Sequence, residues 1–238
     1  MVSPFFAQFK EVTPKRVSDF ILEQLEEAII LKEVLPEEQL PPERELATLF
    51  KASRLAVREA IAELEQKGLI ERRLGAKGGT FVLPLTAKTH QRTIQQIADN
   101  WTQTKELLEY RSVIEPEAAR LAAARITPEH LAYVRDLVEK SSGEDCNREM
   151  FRSLDVKFHL EIARASGNSF FESAVRLIRT KINPGLDLMP YNREIQLASY
   201  EQHRVLIEAL AERDGDKASK TMHMHVHKTL SKLSQFVE

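Results

Sequence analysis

The stretch that decides the fold is KASRLAVREAIAELEQKG, residues 51–68. Ser53 is a favourable helix N-cap and Gly68 a favourable C-terminal stop, so the stretch predicts a helix between them. Apolar residues recur along it at helical spacing and predict one buried face, formed by Leu55, Val57, Ala60, Ile61 and Leu64. Arg54 and Arg58 are one turn apart and project together from the start of the helix. Such a helix suits the DNA major groove, although an ordinary surface helix with solvated arginines has the same pattern.

Two helices are predicted before this stretch. The first covers residues 17–31, with an apolar face formed by Val17, Phe20, Ile21, Leu25, Ala28 and Ile29. The second is short, covers residues 43–50, and begins directly after Pro42, because a proline is tolerated where the first helical N–H has no partner. Residues 51–53 join it to the next helix, and the pair predicts a helix-turn-helix.

Two short strands are predicted after Gly68, over residues 69–73 and 80–83, with glycines in the turn between them. They form a small hairpin, or wing, whose tip carries Lys77. Glycines at such a tip permit positive φ and let backbone N–H groups approach a phosphate closely. A helix, a helix-turn-helix and a basic wing in this order predict a winged helix-turn-helix DNA-binding domain.

Charge and composition narrow the class of protein further. The net charge is −2, but residues 1–43 carry −5 while residues 44–88 carry +4, and local positive charge is what a specific DNA reader needs. The sequence has no apolar run near 18 residues, which predicts no membrane span, and its N-terminus lacks the pattern of a signal peptide. The single cysteine, Cys146, excludes an intrachain disulfide and fits a reducing environment. We therefore expect a cytoplasmic protein.

The rest of the chain predicts helices only. Their predicted ranges are 94–100, 104–125, 128–140, 146–165, 169–181, 194–213 and 216–236, with Pro184, Gly185 and other breakers between them. The predicted architecture is mainly α: an N-terminal winged helix-turn-helix over residues 10–84 and a C-terminal all-α antiparallel helical bundle over residues 92–236.

Candidate metal ligands occur in this second unit. Asp155 and His159 are four residues apart, so both leave one helix face, and His203 comes from another helix. The last helix offers three further histidines, His223, His225 and His227. Three imidazoles and a carboxylate suit Zn²⁺, Ni²⁺ or Mn²⁺, although a lone Asp/His pair more often forms a surface hydrogen bond. Periodicity turns His227 toward solvent but does not decide between His223 and His225, which flank the core stripe on opposite sides.

The first domain resembles the winged helix of GntR-family transcription factors. The matching segments are LPPERELA (40–47), SR (53–54), VREA (57–60), GLI (68–70) and GGTFV (78–82). The resemblance implies that operator DNA is contacted by Arg44, Arg54, Arg58 and Gly78, with Lys77 on a phosphate. The sequence departs from the family at Pro42, where a serine usually caps the helix, at Ala52, usually a valine, and at residues 32–33, which lack the usual glycine.

The second domain resembles the FCD domain, the ligand-sensing domain of the FadR-like branch of that family. The matching segments are EYR (109–111), IE (114–115), AARLAA (118–123), Asp155 with FH (158–159), GN (167–168), EQH (201–203), GDKA (215–218) and Met222 with His225. The resemblance implies that Asp155, His159, His203 and His225 bind a metal ion, and that Arg111 lies near the ligand pocket. An intact metal set argues against an acyl-CoA ligand.

These observations predict a homodimeric transcription regulator, most often a repressor in this family, and not an enzyme. Its operator affinity would be controlled by a small carboxylate bound at the metal and at Arg111. One alternative is a regulator for which the metal itself is the signal. A second is a metal-dependent hydrolase, but the sequence places no general base near the metal set and a hydrolase leaves the DNA-binding head unexplained.

Overall fold

The computed structural model describes residues 14–75, 78–84, 95, 97 and 99–237, and side chains up to residue 228. Residues 14–84, here called the head, contain α1 (Val17–Ile30), α2 (Glu43–Leu49), α3 (Arg54–Gln66), β1 (Ile70–Arg73) and β2 (Gly79–Val82). Residues 99–237, here called the bundle, contain α4 (Trp101–Arg125), α5 (Pro128–Ser141), α6 (Arg148–Ala165), α7 (Ser169–Leu186), α8 (Arg193–Ala211) and α9 (Gly215–Val237). The predicted fold class, a winged helix followed by a helical bundle, is confirmed.

Helix α3 lies at the centre of the head. Ser53 caps it as predicted, because its Oγ accepts a hydrogen bond from the Ala56 N–H at 3.1 Å. The buried face packs against α1 and consists of Ala56, Val57, Ala60, Ile61 and Leu64. The prediction that Leu55 joins this face is wrong, since Leu55 is 64% exposed. The other positions already complete a buried stripe, and Leu55 points away from it.

The apolar face of α1 also differs in part from the prediction. Its buried residues are Ser18, Ile21, Leu22, Leu25 and Ile29, whereas Val17 and Phe20 are exposed. Phe20 lies on the surface beneath the Lys15 ammonium group, which is 4.5 Å from the ring centroid. This cation–π contact gives an exposed aromatic ring a partner outside the core.

The wing is a two-stranded antiparallel hairpin. Ile70 pairs with Val82 and Arg73 with Gly79, so each strand lies within one residue of its predicted range. The Gly78 N–H donates to the Gly75 carbonyl at 2.9 Å and closes the turn. Lys77 lies outside the described residues. The predicted boundary between the domains, after residue 84, lies outside them as well.

The bundle encloses one large apolar core. Helix α4 packs along α9, and α6 packs against α5 and α7. The core includes Ala119, Ala122, Val134, Phe158, Ile162, Leu206, Leu210 and Met222. Helix α6 begins two residues later than predicted, because the Asn147 side chain caps it by accepting from the Met150 N–H at 2.9 Å. The predicted helix 94–100 lies largely outside the described residues. None of the described helices has the length and apolar character that a membrane span requires.

Helix α7 is longer than predicted and connects the bundle with the head. The sequence predicts its end near residue 181, but the helix continues through Pro184 and Gly185 to Leu186. Packing of Ile182 and Leu186 against Leu108 of α4 keeps this last segment helical. The same end of the helix contacts the head, as described below.

Four polar contacts join α7 and its C-terminal end to the head. The Asn183 Nδ2 atom donates to the Ile30 carbonyl at 3.3 Å, at the end of α1. Lys32 Nζ lies 2.7 Å from Asp187 Oδ2, and both side chains are buried. Arg176 pairs with the exposed carboxylates of Glu27 and Glu33 at 2.7 and 2.9 Å. Lys32 has φ of 57°, a left-handed backbone conformation that favours glycine, and glycine is the residue usually found near this position in the family.

Candidate metal centre and DNA-binding surface

Four side chains from three helices converge inside the bundle. Asp155 and His159 project from α6, His203 from α8 and His225 from α9. His225 Nε2 lies 3.2 Å from His159 Nε2 and 3.3 Å from His203 Nε2. Asp155 Oδ1 lies 3.7 Å from the Nε2 atoms of both His159 and His203. All four ligand atoms are within 4.8 Å of one another, so the group could hold a metal ion.

The structure brings His225, and not His223, to the other three residues. His225 is 8% exposed and faces the core, whereas His223 and His227 are exposed on the other side of α9. Ala218 and Met222 pack against neighbouring helices on the side of His225. The packing of α9 therefore places His225, and not His223, beside the other three candidate ligands, a choice that periodicity leaves open.

Neighbouring side chains orient the histidine rings. The His225 Nδ1–H donates to Gln202 Oε1 at 2.8 Å, which leaves the Nε2 lone pair directed at the centre. Glu115 Oε2 lies 2.5 Å from His159 Nδ1, a close contact without hydrogen-bond alignment that holds the ring in position. The Phe158 ring stacks on His203, with ring centroids 4.1 Å apart, and fixes its plane.

The chemistry of these donors fits a cation. Burial lowers the pKa of His203 to about 3, against the opposing effect of Asp155, and burial also holds the pKa of His225 well below its usual value. Both rings are therefore neutral near pH 7. His159 Nε2 and His225 Nε2 lie 3.2 Å apart, with the ring nitrogens facing each other across the centre. A metal ion at the centre would accept a lone pair from each of these nitrogens.

Two buried arginines balance the carboxylates of the site. The Arg111 Nε–H donates to Glu115 Oε1 at 2.6 Å, and Arg179 donates through Nη2 to Asp155 Oδ2. Burial on its own would raise the pKa of both carboxyls, but Arg111 and Arg179 hold the pKa of Glu115 and of Asp155, respectively, well below the usual range. Both acids are therefore ionised, and Asp155 keeps Oδ1 available for the centre.

The sequence predicts the four candidate ligands and Arg111, but not the residues that support them. Glu115 carries a signal that could have found it, because it lies one helical turn after Arg111. Gln202 directly precedes His203 but has no recognisable spacing of its own. Arg179 comes from α7, 24 residues after Asp155, and no local pattern connects the two.

The predicted DNA-binding arginines lie on the surface of the head. Arg44 of α2 is exposed, as are Arg54 and Arg58 in the first two turns of α3. Arg58 pairs with Glu43 at the start of α2, with Nη2 and Oε2 3.1 Å apart. This pair ties the two helices together but is exposed enough to exchange for another anion.

The wing requires a glycine at residue 78. A Cβ atom added to Gly78 would lie 2.5 Å from the Arg73 carbonyl oxygen and 2.8 Å from that of Gly75. Arg73 stacks on Phe81, with its guanidinium carbon 4.4 Å from the ring centroid, and pairs with Glu37 and Glu71. The side chains of Arg73 and Phe81 therefore pack against each other beside the turn, while Gly78 presents only its backbone.

A winged helix-turn-helix with exposed arginines, joined to a bundle with a buried polar centre, defines a DNA-binding regulator with its own sensor domain. Residues 17–82 match the family model for bacterial regulatory proteins of the gntR family, and residues 106–228 match that for the FCD domain. The protein belongs to the GntR family and carries a C-terminal FCD domain.

Relatives and solved structures agree with this assignment. The chain is 30% identical over 223 residues to the HTH-type transcriptional repressor NanR of Salmonella newport (strain SL254), covering 90% of this chain and 84% of that protein. The same protein of Salmonella typhimurium (strain LT2) is also 30% identical, with 82% of its length covered. Among solved structures, E. coli McbR/YncC has a TM-score of 0.56 at 18% identity, covering 94% of this chain and 100% of that one. A putative GntR regulator from Rhodococcus sp. RHA1 has a TM-score of 0.52 at 19% identity, covering 92% of this chain and 97% of that one. These structures share the fold.

The relatives are transcription regulators and not enzymes, which confirms the prediction that this protein is not an enzyme. The protein is a DNA-binding transcription regulator with a C-terminal ligand-sensing domain.

Proposed function

We propose that the protein is a cytoplasmic, homodimeric repressor that releases operator DNA when a small organic acid binds at a metal centre in the bundle. The observation that carries the proposal is the convergence of Asp155 with three histidine Nε2 atoms beside the buried Arg111. The relatives named NanR are repressors by name, which supports the sign of regulation. A homodimer supplies two heads for the two halves of a pseudo-palindromic operator.

The proposed metal ligands are Asp155, His159, His203 and His225. Three imidazole nitrogens and one carboxylate oxygen suit Zn²⁺, Ni²⁺ or Mn²⁺. Such an ion, when bound, supplies positive charge and open positions for the oxygens of an acid. Arg111 adds a second anchor, because its Nη1 is buried and has no partner among the described residues.

On the head, we assign the operator contacts to Arg44, Arg54, Arg58 and the wing at Gly78. Lys77 remains a proposed phosphate contact, although it lies outside the described residues. Arg58 must exchange its Glu43 partner for DNA. Leu55, exposed on the same helix, suits apolar contact with a thymine methyl group.

Helix α7 is the proposed route between the two sites. Arg179, in its middle, holds the metal-binding Asp155, and its end contacts the head through Asn183 and Asp187. An acid that displaces Asp155 or Arg179 would move the surface on which the head rests. Regulation requires that the acid bind with different affinities to the DNA-competent and DNA-incompetent arrangements.

The test is a DNA-binding titration with operator obtained by selection from random duplexes. Metal-loaded protein is bound to labelled operator and titrated with a panel of small carboxylates. We expect at least one acid to lower operator affinity by about 5- to 150-fold, the usual range of allosteric coupling. If carboxylates raise the melting temperature but leave operator affinity unchanged, the bundle binds acids without regulating DNA binding and the proposal fails.

The same assay separates the proposal from a metal-sensing regulator. Protein stripped with a chelator is compared with protein reloaded with Zn²⁺, Ni²⁺ or Mn²⁺, without any organic acid. We expect similar operator affinity in both states. A change as large as that produced by the acid would favour the metal as the signal.

A further inference from the structure

Three arginines around the centre, the buried Arg111 and Arg179 and the half-buried Arg152, each have a buried guanidinium nitrogen without a hydrogen-bond partner among the described residues. Among the described residues, Arg111 Nη1, Arg152 Nε and Arg179 Nε form no hydrogen bond. Arg111 and Arg179 are each only 1% exposed. A buried N–H without an acceptor is costly, and a guanidinium N–H more so, because it bears part of a charge. Arg179 contacts Asp155, Arg152 interacts electrostatically with both of these residues, and Arg111 pairs with Glu115 beside His159, so three such groups border the centre and point to an anionic ligand.

Arg152 lies on the same stripe as the proposed metal ligands. Arg148, Arg152, Asp155 and His159 follow one another on α6 at positions i, i+4, i+7 and i+11 and therefore share one face. At 1.5 Å per residue, Arg152 is about 4.5 Å before Asp155 along the helix axis. Arg152 is thus placed beside the metal centre, toward the start of α6.

The side chains on and around this face of α6 carry more positive than negative charge. Each nearby carboxylate already has a cationic partner: Glu115 has Arg111, Asp155 has Arg179 and Asp187 has Lys32. Arg148 and Arg152 instead donate to backbone carbonyls, those of Asp187 and Met189, and neither forms an ion pair with a carboxylate of the described residues. Two positive charges remain, and a divalent ion would add two more.

We propose that the effector is a small organic dianion, with one carboxylate at the metal centre and a second anionic group at Arg152. This inference rests on the proposed function. A monocarboxylate would satisfy the centre and Arg111 but would leave the Arg152 charge without a counter-charge. A second anionic group within one short carbon chain of the first matches the separation of about one helical turn between Asp155 and Arg152.

The inference is tested by titration calorimetry on full-length, metal-loaded protein with acids matched in size. Succinate is compared with butyrate, malate with 2-hydroxybutyrate, and 3-phosphoglycerate represents a phosphate as the second group. We expect at least one dianion to bind 10-fold or more tightly than its matched monoanion. Tighter binding of 3-phosphoglycerate than of the dicarboxylates would identify a phosphate as the second group.

A pair of variants locates the second group. Arg152→Gln should remove the advantage of the dianion while leaving the affinity for the monoanion within twofold. Arg164→Gln, an exposed position on the same helix, changes the net charge equally and should leave the advantage intact. Equal affinities for matched monoanions and dianions in the wild type would overturn the inference but not the proposed function. Absence of binding by any acid would overturn both.

Discussion

Lys32 of the head and Asp187 at the end of α7 form a buried ion pair, with Nζ and Oδ2 2.7 Å apart and side chains 9% and 10% exposed. The pair stands beside the Asn183 contact to the last turn of α1. Lys32 adopts positive φ, so the ammonium group reaches Asp187 at the expense of a backbone conformation that most residues avoid. The ion pair and the Asn183 contact therefore fix the position of the head on the bundle.

Removing one member of this pair should destabilise the protein and weaken its response. Asp187→Ala leaves a buried ammonium group without a counter-charge, which costs roughly 3–5 kcal/mol. The double variant Lys32→Gly/Asp187→Ala should recover much of this stability, because glycine accepts positive φ without strain and carries no charge. Urea denaturation measures the stability, and the operator titration measures the response, which we expect to stay weak in the double variant.

An exposed pair provides the control. Lys140 and Asp136 lie 2.6 Å apart on the surface of α5, so Asp136→Ala should change stability by less than about 1 kcal/mol. A full response to the acid in the double variant would show that the signal does not pass through this contact.

The recognition helix is tested at Arg54 and Arg58. Replacing either with Ala should weaken operator binding by about 1–3 kcal/mol, because each loses a contact to a base or phosphate. Glu43→Gln should not weaken binding, since it frees Arg58 from its intrachain partner. Fluorescence anisotropy on labelled operator measures these changes, with Arg164→Ala as a control of equal charge far from the head. Affinities within twofold of wild type for both arginine variants would remove the assignment.

The metal is tested by its stoichiometry. Purified protein should carry about one divalent ion per chain, and Asp155→Ala or His159→Ala should lose most of it, because each removes one of four converging ligands. His223→Ala, exposed on the same helix as His225, should retain the ion. Elemental analysis after purification without chelator gives the answer. Wild-type protein without metal, even after soaking, would contradict the site.

The coupling of the metal centre to DNA binding is tested at the remaining histidines. His203→Ala and His225→Ala should abolish the response to the acid, since each weakens the anchor of the ligand. Their operator affinity without acid should remain, because the head is unchanged. His223→Ala should respond normally, and the comparison uses the same operator titration. Responses like wild type from His203→Ala and His225→Ala would make any metal purely structural.

The elements that local chemistry determines were predictable from the sequence. Ser53 caps α3 with its own side chain, Thr127 caps α5 in the same way, and glycines close the wing. Each signal lies within a few residues of the structure that it specifies. The errors arise where distant residues decide, as at Pro184, which remains helical because α7 packs on α4 and against the head.

The residues of the candidate site likewise fall into those that a local sequence pattern predicts and those that contacts between distant residues determine. Asp155 and His159 are recognisable because they are one turn apart on one helix. Periodicity does not distinguish His225 from His223, because the two residues flank the apolar stripe of α9 almost equally. The packing of α9 on neighbouring helices decides between them, since it buries His225 and leaves His223 exposed. Arg179 approaches Asp155 from another helix. Neither the spacing of Arg179 from Asp155 nor the residues beside Arg179 in the sequence predict this contact.

The burial of Cys146 makes the protein convenient for site-specific labelling. It is the single cysteine of the chain, it is 5% exposed, and burial raises the pKa of its thiol, so maleimide reagents should scarcely react with the folded protein. A cysteine introduced at an exposed position of α3, such as Glu63→Cys, would then be the only reactive thiol. In a dimer, one spin label at each such site would give the distance between the two recognition helices directly by electron spin resonance, with and without the acid.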